Sequence, residues 1–565
     1  MKKFKDIPYA RPDIEAESAA FRSLLADFSG ARSAEAAREA MDRLSALRDR
    51  ISTVKDLAEI RHTCDTTDPF YEAENDFWDG ASPRIDALEH ELYAALVSSP
   101  FRKELEAVWG PHIFRMAECR LAAFKPGIEE LLAAENRLSS EYDKLKASAS
   151  IPFDGRVLNL AELGPYMESP DRETRGRAVS AVSGFYRDHG DEFDRIYAEL
   201  VAVRHRIALE LGFPNFVPLA YARLGRTDYG PAEVASYRSQ VLRTVVPLAA
   251  SLRERQARRL GLPVLAYRDE AFEFPTGNPR PVGGTPVLLE AAGKMYDEMS
   301  AETGSFFRMM RERELFDLET RKGKALGGYC SYLPAEGVPF VFANNNGTSD
   351  DIDTLTHEVG HAFQVSRGGR FAFPEYHWPT LEACEIHSMS MEFLAWPWME
   401  GFFGADADKY LFRHLTAGIL FLPYGVLVDE FQHWVYEHPG AAPAERRAAW
   451  RRMERVYLPW RDYEGDGFLE AGGYWFRQGH IFQDPFYYID YTLAQVCAYE
   501  FWALSRSDRP GAWRRYLALC DAAGSRPFLD LLGVASLRNP FAEGSIAGIL
   551  APARTWMDAV DDRGF

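Results

Sequence analysis

The chain has 565 residues, 47% hydrophobic and 26% charged, a balance that allows a large buried core under a well-solvated surface. Its formal net charge of −19 argues against non-specific nucleic-acid binding, which needs basic surface, and suits tolerance of basic segments in a partner. Met1-Lys-Lys-Phe-Lys has no apolar run behind it, so no secretory leader is expected, and the longest apolar stretch, Leu415 to Val428, is too short to span a bilayer and contains Pro423.

Cys64, Cys119, Cys330, Cys384, Cys497 and Cys520 show no paired spacing, which points to free thiols in a reducing, cytoplasmic setting. From about residue 13 to 150, apolar residues recur at three- and four-residue spacing between charged faces, predicting a helical bundle with no evident chemistry. Asp154-Gly155, inside the extended patch Ile151 to Leu160, predicts a hairpin turn. Helices are expected from Asp171 to about residue 262. Loops with short strands should follow at 263–287, and then one helix over 288–313. Phe340 to Ala343 reads as a strand whose edge could hold an extended peptide.

The next stretch carries the chemistry. Thr348 or Ser349 can cap a helix whose first turn holds Asp350, Asp351 and Asp353, where carboxylates favour the positive end of the dipole. Leu355, Val359, Ala362 and Phe363 give it an apolar side. His357 and His361, four apart, present two imidazoles on one face, while Glu358 is turned by about 100°. Neutral imidazoles at this spacing suit Zn²⁺, and the adjacent carboxylate suits a general base.

A catalytic zinc site needs a third protein ligand. Pro379 to Ala395 is a helical pattern with Glu382, Glu385 and Glu392 on one stripe, kept beside packed surface by Leu381 and Met389. Carboxylates there are costly unless paired or metal-bound. Glu385 is taken as the ligand, with Glu382 and Glu392 as candidates for orienting the imidazoles. Cys384, next to that ligand, is a point of possible thiol sensitivity, although a small buried side chain explains it as well.

With these motifs in view, the chain resembles the M3 family of zinc metallopeptidases, the thimet oligopeptidase and oligoendopeptidase F group, and within it the Pz-peptidase-like members. The resemblance runs through Asp171-Arg172…Arg175, Lys322-Gly-Lys…Gly-Gly-Tyr, Asn346-Gly-Thr, His357-Glu-x-Gly-His361 and Glu385-x-x-Ser388. It continues through a tyrosine-rich segment to Leu532-Gly533…Asn539-Pro-Phe541. It implies one Zn²⁺ per chain with Glu385 as third ligand. It also assigns His480, Tyr488 and Tyr491 to substrate and transition-state binding. Neighbouring Tyr487 leaves open which hydroxyl meets the oxyanion.

The implied fold is mainly α, a large two-lobed zincin-type body with a small β-sheet beside the active-site helix and a deep substrate channel. The expected division is an N-terminal helical region at 1–150, a hairpin with connecting helices at 151–200, and the catalytic region at 201–565. The function expected is a zinc endopeptidase that cuts short oligopeptides, with Glu358 activating water. A dipeptidyl carboxypeptidase or carboxypeptidase is the alternative. A non-catalytic peptide-binding protein with structural zinc is remote, because such a site needs no base. Neither nucleic acid nor membrane is an expected partner, and the oligomeric state is left open.

Overall fold

The computed structural model describes residues 2–321 and 323–565; Lys322, first of the Lys-Gly-Lys motif, lies outside the described residues. The N-terminal stretch forms the expected bundle, its helices Ile14–Ser29, Ala34–Cys64 and Pro69–Val97 begun by Asp13, Ser33 and Asp68, each accepting backbone N–H bonds. Phe21, Met41, Leu44, Trp78, Leu92 and Phe114 close a core of their own. A second, larger core takes in most of the remaining chain, including Ile128, Tyr142 and Leu145. Helix Ala34–Cys64 joins the two, with Leu44 and Ile51 in the first and Leu57 and Ile60 in the second.

Strands β1 (Ile151–Phe153) and β2 (Arg156–Leu158) form the expected antiparallel hairpin. Asp154 and Gly155 both take positive φ, as a two-residue turn between right-twisted strands requires. Between residues 263 and 287 the structure has a 3₁₀ turn at Tyr267–Asp269 and no strand. The single helix expected over 288–313 is two, Thr285–Met299 and Ala301–Glu312. Ser300 separates them: its backbone is extended and its side chain accepts from Thr303 N–H, a local bond that competes with helix continuation.

The small sheet consists of β3 (Phe316–Glu319), β4 (Tyr329–Leu333) and β5 (Val338–Asn345) in the order β3-β5-β4, with β3 parallel and β4 antiparallel to β5. The Phe340–Ala343 segment is therefore central, its backbone engaged on both sides, and the edges of the sheet are β3 and β4. Lys324 fixes this arrangement. Its buried ammonium donates to Asp317 Oδ1 at 2.8 Å and to the carbonyls of Asp317, Glu319 and Ala343, tying the β3–β4 connection across both strands.

Glu400–Glu437 is long and apolar enough by composition to cross a membrane, but 67% of its apolar window is buried inside the fold. The helix Ala407–Glu437 packs against helix Tyr488–Ser507 so closely that a Cβ at Gly425 would fall 2.2 Å from Thr492 Cγ2.

Candidate metal centre

β5 runs through a tight turn into helix Asp350–Gly368. Neither Thr348 nor Ser349 caps it through its side chain. The Asp351 carboxylate instead accepts the N–H groups of Asn346 and Gly347 at 2.8 and 2.9 Å, and Asn346 Oδ1 accepts from Thr348. This polar knot lies at the positive helix end and fixes the angle at which the helix leaves the sheet.

Helix Leu381–Leu394 packs between that helix and helix Tyr488–Ser507. Gly360 permits the close crossing, since a Cβ there would lie 2.8 Å from Ser388 Cα and 2.9 Å from His387 O. The approach brings three donor groups together. Glu385 Oε2 lies 3.1 Å from His357 Nε2 and 3.5 Å from His361 Nε2, and all three ligand atoms fall within 4.8 Å of one another. Burial alone would raise the Glu385 carboxyl, but the His361 and His357 imidazoles hold it well below the usual carboxylate range.

Each donor has its own support, except one. His357 Nδ1 is 2.7 Å from Glu392 Oε1, so Glu392 takes the orienting position expected of it. Burial opposes its charge, yet His357 and His414 keep Glu392 below its ordinary range. Ser388 Oγ donates to Glu385 Oε2 at 3.1 Å, and Tyr487 OH to Glu385 Oε1 at 2.6 Å. His361 Nδ1 is buried with no protein partner among the described residues.

Glu382 differs from the expectation. It orients no imidazole: it accepts from Tyr229 OH and faces Arg226 at 3.7 Å, while Arg226 pairs with Asp490 at 2.7 Å and bonds the Phe486 carbonyl. These buried charges tie helix Leu381–Leu394 to the start of helix Tyr488–Ser507. The Arg226 bond also holds Phe486 at φ 68°, a costly backbone for a bulky residue and one that leads directly into Tyr487.

Glu358 is 7% exposed, and its Oε2 has no protein partner among the described residues. Burial pushes its carboxyl above the ordinary value against the pull of His357 and His361. Gly328, just before β4, comes so near that a Cβ on it would lie 3.5 Å from Glu358 Oε1, which puts the start of this edge strand beside the carboxylate.

His480 Nε2 is 3.4 Å from Tyr491 OH, and His480 Nδ1 is 2.9 Å from Gln478 Nε2. Glu385 and Glu358 both act on the Tyr491 hydroxyl and, after burial, help raise its pKa well above the ordinary value. Tyr488 sits among Phe421, Tyr424, His480 and Tyr491, and burial, followed by Tyr474, raises its hydroxyl above the ordinary value. Of the three neighbouring tyrosines, Tyr487 thus meets Glu385, Tyr491 faces both glutamates, and Tyr488 stands beside them. The sequence points to neither His414 nor Arg226, and it offers Tyr487 only as a rival for the oxyanion, not as the partner of Glu385.

A His-Glu-x-x-His helix, a glutamate from a second helix and a short sheet with an edge strand beside the carboxylate are together the parts of a zinc metallopeptidase centre. Residues 4–124 match the family model described as Peptidase M3 N-terminal domain, and residues 293–549 match Peptidase family M3. The chain belongs to peptidase family M3.

Three solved structures are similar over their full lengths. A protein provisionally assigned as an oligoendopeptidase F shares 55% identity, with 100% of both chains covered and a TM-score of 0.98. Pz peptidase A with an inhibitor shares 53%, covering 99% of this chain and 100% of the other, with a TM-score of 0.97. A protein provisionally assigned as oligoendopeptidase F from Bacillus anthracis shares 48%, with 100% of both covered and a TM-score of 0.93. Among curated proteins no match was found.

Proposed function

We propose that the chain hydrolyses internal bonds of short oligopeptides in the cytoplasm, with His357, His361 and Glu385 holding one zinc ion. The convergence of those three side chains carries the reading. Tetrahedral zinc with bonds of about 2.0–2.2 Å sets its ligand atoms roughly 3.3–3.5 Å apart. The 3.1 and 3.5 Å separations from Glu385 Oε2 to the imidazoles suit that ion. Six free cysteines agree with a reducing compartment.

Bound zinc supplies Lewis acidity and brings the acidity of a water toward neutral pH. Glu358 takes the proton from the attacking water and passes it to the leaving amine, and burial gives it the basicity for both transfers. Tyr491, with His480 behind it, donates to the oxyanion, and Tyr488 supports the substrate beside them. The β4 edge would pair with the extended peptide and set its scissile carbonyl beside the water that Glu358 deprotonates.

The test is cleavage of a short quenched peptide blocked at both ends, by wild type and Glu358→Gln, with zinc measured in each. Internal cutting by wild type, and a variant that keeps zinc but loses roughly 10²–10⁴-fold in rate, supports the reading. An uncut peptide with zinc present points to an exopeptidase.

A further inference from the structure

The His414 imidazole is buried against Phe393, Trp396 and Tyr410, 57 residues beyond His357 in sequence (414 − 357). Its Nδ1 lies 3.1 Å from Trp396 Nε1 and its Nε2 lies 2.7 Å from Glu392 Oε2. An indole N–H can only donate. Nδ1 of His414 is therefore the acceptor, its proton sits on Nε2, and Nε2–H donates to Glu392.

The other Glu392 oxygen is 2.7 Å from His357 Nδ1. An ionised carboxylate only accepts, so His357 carries its proton on Nδ1 and leaves the Nε2 lone pair facing Glu385 and His361. The indole thus fixes the His414 tautomer, and Glu392, accepting from both imidazoles, fixes which nitrogen of His357 is free. His361 has no comparable support, its Nδ1 being buried without a partner among the described residues.

We propose that His414, held in one tautomer by Trp396, is a positioning residue that locks Glu392 and through it the His357 ring toward the metal. This rests on the reading of His357 as a zinc ligand. Without the His414 donor, one Glu392 oxygen is left buried and unpaired, and the carboxylate can rotate off His357 Nδ1.

The test is zinc affinity, measured by competition with a chromophoric chelator, for wild type, His414→Phe, His414→Gln and Trp396→Phe. His414→Phe keeps the ring shape and removes the donor, so zinc binding is expected to weaken by roughly 10–100-fold. Gln can place an N–H near the Nε2 position, so His414→Gln is expected to stay within about threefold of wild type. Trp396→Phe frees the tautomer and is expected to weaken zinc by about 3–10-fold.

Wild-type affinity in His414→Phe overturns the proposal. So does His414→Gln as weak as His414→Phe, which would mean that the ring acts by filling space. If His414→Phe does not fold, Trp396→Phe decides: weaker zinc supports the proposal and unchanged zinc overturns it. A wild type without zinc would sink the metal reading itself, an outcome distinct from any of these.

Discussion

Tyr487 donates its hydroxyl to Glu385 Oε1 at 2.6 Å, while Oε2 of the same carboxylate faces His357 and His361. One oxygen is anchored by a phenol and the other is offered to the cluster. Tyr487 is therefore committed to the third donor, and Tyr491 is the tyrosine with both glutamates in range. Two substitutions separate these tasks. Tyr487→Phe is expected to weaken zinc by roughly 10–100-fold, because a hydrogen bond to a charged group contributes about 1.5–3 kcal/mol. Tyr491→Phe is expected to leave zinc intact and cost roughly 10²–10³-fold in kcat. Zinc titration alongside steady-state kinetics on both variants checks the division. Exchanged outcomes would mean the two hydroxyls have been given each other's roles.

Gly360 is as much a part of the centre as the ligands around it. A methyl group at this position would lie 2.8 Å from Ser388 Cα and 2.9 Å from His387 O, both on the helix that delivers Glu385. Backbone cannot rotate away as a side-chain end can, so Gly360→Ala must push the helices apart. The expected cost is about 1–3 kcal/mol of stability, with zinc occupancy lost as well because the Glu385-to-imidazole separations lengthen. Thermal unfolding of the zinc-free protein measures the first effect and metal analysis the second. Normal zinc binding in a stably folded Gly360→Ala would show that this crossing has slack.

Much of this site could be read from the sequence because its donors lie on local patterns. His357 and His361 share a helical face, and Glu385 falls on a stripe of glutamates. The stripe could not tell its members apart. Glu392 meets His357 and Glu382 meets Tyr229, a difference set by which helix packs against each end. Likewise, Phe340–Ala343 reads as a strand from its residues, but its central place depends on a parallel partner, Phe316–Glu319, separated from it in sequence by the whole of β4. Arg226, His414 and Trp396 gave no signal, because each matters through a partner brought close by tertiary packing. The break at Ser300 was legible in principle, since a serine with a free N–H three residues on is a cap signal.

Arg226 provides a stability test far in sequence from the residues it holds. Its guanidinium is buried with Asp490 at 2.7 Å and Glu382 at 3.7 Å. Removing it leaves two buried carboxylates without their cation. Arg226→Met is expected to destabilise the fold by about 3–5 kcal/mol, and returning the cluster to its original net charge with Asp490→Asn in the same chain should recover part of that loss. Urea unfolding of the two singles and the double gives the coupling. Strict additivity would remove the ion pair from the account of how these helices are joined.

Acid stability offers a last test, in the N-terminal core and away from the metal. His112 is 3% exposed at the first turn of helix His112–Ala122, its Nδ1 has no protein partner among the described residues, and burial followed by Arg115 lowers its pKa to about 4. A cation at the positive end of a helix is disfavoured as well. Folding therefore prefers the neutral ring, and the unfolded chain, with a pKa near 6.5, binds more protons in between. By this linkage stability is highest above pH 6.5 and falls as pH drops from there toward about 4, by roughly 2–3 kcal/mol in all. Asp228 and Asp353, each raised to about 6 with burial the leading cause, act in the opposite sense, because a buried carboxyl favours the fold when protonated. The total curve therefore mixes signs, and the informative quantity is wild type minus His112→Phe. That difference in unfolding free energy should be flat above pH 6.5 and should shift in the variant's favour as the pH is lowered. A difference that stays level across the whole range would mean that His112 takes up its proton as readily in the folded core as in the unfolded chain.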